Sequence, residues 1–221
     1  MGKIIVLDPG HGLNEKGIFS RPLMDCTGDK AICVPDSMHP HVNDYEPNFY
    51  REDIGTLAIA KKAAAELEAK GHTVLITRRD ENNAGVYLSS FSNNNWKKKH
   101  WKSWKWIKDF TLKHNADIFV SIHTNAGGGT GTSCFWAVSP NGVDLSKAVT
   151  QELNDQLGLK VRRVAKHRYL ILRNVCEGRS VLLECLFHDN IKDIKLLLTQ
   201  DGISSVAKAV ADGIDKYSLT F

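Results

Sequence analysis

Three short stretches of the chain each carry an apolar run up to a residue that can bind a metal or move a proton. Lys3 to Leu7 is the first, and Asp8-Pro9-Gly10 turns it directly into His11-Gly12. The second, Phe119-Val-Ser-Ile-His-Thr-Asn-Ala126, places His123 after β-branched and aromatic residues and before a polar turn. The third, Ser180-Val-Leu-Leu-Glu184, ends on an acid whose neighbours Leu183, Cys185, Leu186 and Phe187 are all apolar. A carboxylate in such company does not read as a solvated surface group. Two histidines and a carboxylate make a catalytic zinc set that leaves one position open for water. A second carboxylate outside that set is then available as general base.

These groups can meet only if the elements bearing them bring their ends to one edge. Lys3–Leu7 reads as a buried strand, with Pro and Gly marking the sharp turn after it. A helix is expected from about Arg51 to Lys70, because Ala60-Lys-Lys-Ala-Ala-Ala-Glu-Leu-Glu-Ala69 is rich in helix formers. Leu57, Ala60, Ala64 and Leu67 fall on one face of it, and Gly71 supplies the stop. Thr73–Thr77 is the next strand, which completes a β-α-β unit with a right-handed crossover and a parallel pair. Ala116–Ile122 is the strand leading to His123, Ser133–Val138 another, and Ser180–Glu184 a third. Helices are expected at about Asp144–Leu157 and Ile203–Lys216, the latter with Ile203, Val206, Ala207, Val210 and Ile214 on one face. With no internal repeat and no linker, the reading is a single α/β domain over residues 1–221. It has a mostly parallel twisted sheet of about six strands, flanked by helices on both faces. In such sheets ligands collect at the carboxyl ends of strands, where His11, His123 and Glu184 would stand. Glu52 and Asp53 open the first helix, where a carboxylate complements the helix dipole. Glu52 therefore reads as a cap as readily as a site residue, and it reaches the edge only if the preceding segment folds back.

The totals bound the function without choosing it. A chain of 221 residues with 42% apolar content can bury one sizeable core. A formal net charge of +4 favours acidic partners such as a cell wall, a membrane surface or nucleic acid. No stretch approaches the roughly 20 apolar residues of a membrane span, and the N-terminal apolar run is too short for a signal peptide. Of five cysteines, Cys134, Cys176 and Cys185 lie in apolar surroundings and read as reduced core thiols. Cys26 and Cys33 share a loop and can pair or bind a metal, but they lack CxxC spacing. Residues 13–51 form a long loop insertion, read as a lid or groove wall; its His39 and His41 read as solvated. Gly127-Gly-Gly-Thr-Gly131 lacks the lysine and following helix of a phosphate cradle. Residues 96–110 hold Trp96, Trp101, Trp104 and Trp106 among six lysines. At helical spacing Trp101, Trp104 and Lys108 share one face, either as a surface for nucleic acid or sugars or as a helix packing its tryptophans on the sheet.

Taken together, Val6-Leu-Asp-Pro-Gly-His-Gly12, Phe119-Val-Ser-Ile-His-Thr-Asn-Ala126 and Val181-Leu-Leu-Glu-Cys-Leu-Phe187 with Asn190 resemble a family. They are similar to the three main blocks of the zinc-dependent N-acetylmuramoyl-L-alanine amidases (type 3). The likeness extends to Glu52 with its long helix, to Gly71-His72 and to Thr77-Arg78, with the blocks in family order. It implies an α/β fold and one zinc ion (Zn2+). By position, His11, Glu52 and His123 match the zinc ligands and Glu184 the catalytic glutamate. Asn125 and Arg173 are candidates for substrate binding. The implied substrate is the amide joining N-acetylmuramic acid to L-alanine in peptidoglycan.

Without a signal peptide or wall-binding repeat, the sequence looks more like a phage endolysin than an exported housekeeping amidase. The expectation is a monomer made in the host cytoplasm and acting on the wall after release, with peptidoglycan as partner and neither nucleic acid nor membrane. Two departures stand out. The segment between His11 and Glu52 is longer than in compact members, and lysines and tryptophans replace the arginine often found before the third strand. The alternatives are a zinc peptidase cutting the stem peptide, or a wall- or nucleic-acid-binding module built on Trp96 to Lys108, whose binding would be salt-sensitive and survive loss of zinc.

Overall fold

Apolar runs become strands and alanine- or leucine-rich runs become helices in the computed structural model, which describes residues 2–11, 50, 52–79, 96–138 and 140–221. The strands are β1 (Ile4–Pro9), β2 (Thr73–Ile76), β3 (Ile118–Asn125), β4 (Thr132–Trp136), β5 (Val161–Lys166) and β6 (Ser180–Phe187). They form one sheet in the order β2-β1-β3-β6-β4-β5. β2, β1, β3 and β6 run parallel. β4 lies antiparallel to β6, and β5 is parallel to β4. The helices are α1 (Glu52–Ala69), α2 (Trp96–Lys113), α3 (Asn141–Leu157), α4 (Ile191–Leu197) and α5 (Gln200–Ser218).

Because successive strand residues point to opposite faces, β1 feeds two cores. Ile5 and Leu7 join the larger one, with Val120, Ile122 and Leu183, under Ala60 and Leu67 of α1, Leu153 of α3 and Val210 of α5. Val6 joins the smaller one, with Phe119 and Leu182, under Ile107 of α2 and the short turn Leu170–Leu172. Helices therefore cover both faces, as the periodicities predict. The buried thiols of Cys134, Cys176 and Cys185 are free; burial pushes those of Cys134 and Cys176 up to about 12, which keeps them protonated and inert.

Three elements differ from expectation. β3 runs on to Asn125, so His123 is gripped by strand pairing instead of standing where a strand gives way to a loop. Thr124, one of the polar residues that suggested a turn, is bonded inside, with its Oγ1 3.0 Å from His188 Nδ1, and within the strand the Ser121 hydroxyl donates to Asp8. β5 was not expected at all, because Val-Arg-Arg-Val-Ala-Lys carries three cations in six residues. It lies at the sheet edge, where charge deters pairing with a second chain. α4 was also unexpected; the Asn190 side chain caps it by accepting from Lys192 N and Asp193 N.

In α2, Ile107 is buried and Trp106 stacks on Phe110 at 5.1 Å, which is the packing expected of a sheet-covering helix. Trp104 instead is 38% exposed and lines a cleft with Lys108, Leu170 and Arg173. The side chains of Trp96 and Trp101 lie outside the described residues, as do Cys26, Cys33, His39, His41 and all of the 13–51 segment except Tyr50. Among the described residues no helix is long and apolar enough to cross a membrane.

Candidate metal centre

β1 ends at Pro9, and the chain stays tied to its neighbour because Gly10 N–H donates to Ile122 O at 2.7 Å. His11 then takes a left-handed backbone (φ 63°), which non-glycine residues adopt rarely and mostly where function over-determines it. Its ring meets that of His123 edge-on, with centroids 5.0 Å apart. Gly10 makes this approach possible. A Cβ there would lie 2.4 Å from His123 Cε1, where no carbon can sit. Gly10→Ala is expected to push the His123 imidazole aside and weaken metal binding about tenfold or more, the scale seen when groups orienting a ligand are lost. Competition with a chromophoric chelator measures it, and circular dichroism should show the fold retained.

Glu52 arrives from the far side of the same edge as the first residue of α1, and it is buried. Its Oε1 accepts from Thr124 N–H at 2.9 Å and lies 3.2 Å from His123 Nδ1, while its Oε2 lies 3.3 Å from His11 Nε2. One donor atom from each of the three residues falls within 4.8 Å of the others, so the group can hold a metal ion. Burial pushes the Glu52 carboxyl up, but the hydrogen bonds and charge of the two histidines outweigh it and hold the group well below the usual carboxylate range. Burial likewise lowers His123, and Glu52, followed by Glu184 and Asp8, more than restores it.

What brings α1 to this edge is Arg78, directly after β2. Its guanidinium donates to Pro9 O at 3.1 Å, Gly10 O at 2.9 Å and Asp53 O at 2.6 Å. Thr56 Oγ1 adds a bond to Gly10 O at 3.0 Å. Beneath them Asp8 accepts from Thr77 and Ser121, each at 2.7 Å, which locks the ends of β1, β2 and β3 together. The reading from sequence has Asp8 only in a turn and a family block and Arg78 only in the family likeness, with no part for either side chain in holding the site together. The available signal was an arginine placed against a buried strand end, which is costly unless its donors are satisfied.

Glu184 pairs in register with His123 on the adjacent strand. Neighbouring strands lie roughly 4.8 Å apart and paired side chains share a face, so the carboxylate stands beside the cluster. Burial raises it and outweighs the lowering charge of His123. Its Oε2 is buried and receives no hydrogen bond from the described residues. Two imidazoles and one carboxylate converging beside an unsatisfied second carboxylate fit a divalent metal with room for a reactant. Asn125 lies two residues beyond His123 on the same strand face, with its Oδ1 accepting from Ala126 N–H. Arg173 is elsewhere. It follows the turn whose Leu172 O accepts from Ser180, at the start of β6 and four residues before Glu184, roughly 13 Å along the strand. The structure thus gathers His11, Glu52, His123 and Glu184, places Asn125 close by, and leaves Arg173 lining the cleft beside α2.

The six-stranded α/β sheet thus carries at its carboxyl edge a His–Glu–His cluster able to hold a metal ion, with an acid in register beside it. The chain belongs to the N-acetylmuramoyl-L-alanine amidase family, whose model matches residues 5–216. It is 26% identical over 223 residues to the "Probable cell wall amidase LytH" of Staphylococcus epidermidis, covering 98% of this chain and 58% of that protein. It is 22% identical to the sporulation-specific N-acetylmuramoyl-L-alanine amidase of Bacillus subtilis, over 96% of this chain and 67% of that one. Among solved structures, the CwlD amidase from Clostridioides difficile, in complex with the GerS lipoprotein, superimposes over all of both chains with a TM-score of 0.75 and 27% identity. The chain therefore spans little more than half the length of the LytH relative.

Proposed function

We propose that this domain hydrolyses the amide between N-acetylmuramic acid and L-alanine in peptidoglycan and depends on zinc to do so. The observation that carries this reading is the convergence of His11, Glu52 and His123 beside Glu184 in a member of the amidase family. His11, Glu52 and His123 would hold the zinc, which when bound lowers the pKa of water and polarises an amide carbonyl as a Lewis acid. Thr124 N–H fixes Glu52 Oε1, so the carboxylate enters the site in one orientation. Glu184 accepts a proton from the attacking water and returns it to the leaving alanine nitrogen, acting first as base and then as acid. Burial raises its carboxyl, the direction that favours returning the proton as well as taking it. Asn125 would contact the substrate from the end of β3. Arg173, at the other end of β6, would act only on a substrate long enough to reach the α2 cleft.

The biological setting that we propose is a phage endolysin made as a monomer in the host cytoplasm and acting on the wall after release. Mass spectrometry of digested peptidoglycan tests the activity. The expected product is an intact stem peptide with a free N-terminal alanine, and cleavage inside the stem peptide instead would replace the amidase reading with a peptidase one.

A further inference from the structure

The sheet aligns one cation of its edge strand with the metal cluster. His123 of β3 pairs with Glu184 of β6, Glu184 with Ser133 of β4, and Ser133 with Arg163 of β5. Paired residues share a face, so these four side chains make one row across the sheet. At roughly 4.8 Å per strand, the Arg163 backbone lies about 10 Å from that of Glu184 and about 14 Å from that of His123. Packing confirms the side. The Arg163 guanidinium lies 5.7 Å from the centroid of Phe135, which is two residues beyond Ser133 and packs with the α2-side core.

Arg163 is exposed, and among the described residues it makes no ion pair or hydrogen bond. The Tyr169 ring packs on the same Phe135, at 5.9 Å. Burial raises the tyrosine hydroxyl, the Glu184 charge raises it further and the Arg163 charge opposes, so both charges reach it. The other cations of β5 are placed differently. Arg162 lies over Phe187 and Lys166 over Trp136, off the row. Deterring edge pairing accounts for all three cations equally; the alignment with Glu184 belongs to Arg163 alone.

The row also has a chemical direction. On the amidase reading Glu184 returns its proton to the amine that leaves, and a peptide leaving on the side away from the His11–Glu52–His123 cluster would run from Glu184 toward β4 and β5. An extended chain advances about 3.4 Å per residue, which sets a carboxylate on the second residue about 7 Å from the scissile nitrogen. The Glu184 and Arg163 backbones lie about 10 Å apart in the row, a span that two long side chains leaning toward each other would bring down to that interval. We propose that Arg163 binds the free α-carboxylate of the second residue of the stem peptide and so selects substrates that carry it. This rests on the amidase reading above.

The test uses two synthetic muramoyl peptides that differ only at the second residue, one with D-isoglutamate (free α-carboxylate) and one with D-isoglutamine (its amide). The wild-type chain should prefer the carboxylate. Arg163→Ala should raise KM for that substrate by about ten- to a hundredfold, the scale of one charged hydrogen-bonded pair. It should leave kcat and the amide substrate within about twofold, and zinc content unchanged. Arg163→Lys should recover part of the loss, and Lys166→Ala should discriminate as wild type does. A wild-type chain indifferent to the amide, or an Arg163→Ala chain losing both substrates equally or neither, overturns the assignment. Absence of alanine-terminated product from both substrates with the wild type overturns the amidase reading, and this assignment with it.

Discussion

Glu184→Gln is expected to lower kcat by about 10²–10⁴-fold, the usual contribution of a positioned general acid–base. The carboxylate is in register with His123 but outside the set of donor atoms that converge on one point. Its loss should therefore leave zinc stoichiometry at the wild-type value. The amide fills nearly the same volume, and Glu184 Oε2 has no hydrogen-bond partner among the described residues to lose. Folding should survive for that reason. Release of alanine-terminated peptide measures the first effect and metal analysis of the same preparation the second. Near-normal turnover would remove Glu184 from the chemistry, and loss of zinc together with activity would make it a ligand.

Removing the metal should be as severe and should also touch stability. Chelation is expected to abolish hydrolysis reversibly, with zinc restoring it. His123→Ala should abolish it irreversibly and bind no zinc. In that variant Glu52 stays buried with His11, half-exposed, as its remaining imidazole partner. Removing one partner of a buried ion pair costs about 3–5 kcal/mol, with the lower end expected here because His11 remains, and in a chain of this size each kcal/mol moves the melting temperature by about 2–4 °C. A fall of about 6 °C or more in the metal-free variant, measured against metal-free wild type, is the expected result. A zinc-free but fully active protein would sink the metal assignment.

The sequence was most legible where burial left no choice. The runs ending at His11, His123 and Glu184 are apolar enough to be core strands, and three parallel core strands bring their carboxyl ends to one edge by geometry alone. Glu52 was not legible from periodicity, because an acid at a helix start has a sufficient local reason to be there. What carries it into the site is a long-range contact, the Arg78 guanidinium bonded to carbonyls of Pro9, Gly10 and Asp53. No local pattern encodes such a contact. β5 was missed for the opposite reason: its cations contradict a core strand, yet an edge strand needs pairing on one side only. The end of β3 was misread because Thr124 and Asn125 look like turn residues, whereas the Thr124 hydroxyl is met inside by His188.

The reversal of strand direction at β6 divides the neighbourhood of Glu184 into two separately heritable halves. The cluster rests on β1, β3 and the start of α1, stapled by Arg78 and Asp8. The opposite flank is bordered by β4 and β5, entered through the glycine-rich segment 126–131 and the short turn at 158–160. Backbone N–H groups of Gly127, Gly128 and Gly131 are held by Asp189 and Asp193 and by nothing in the cluster. Mutations accumulating in that flank can alter which peptides are accepted while the hydrolytic apparatus stays intact. On the amidase reading proposed above, a lineage carrying this domain can follow changes in wall chemistry without reinventing its catalyst.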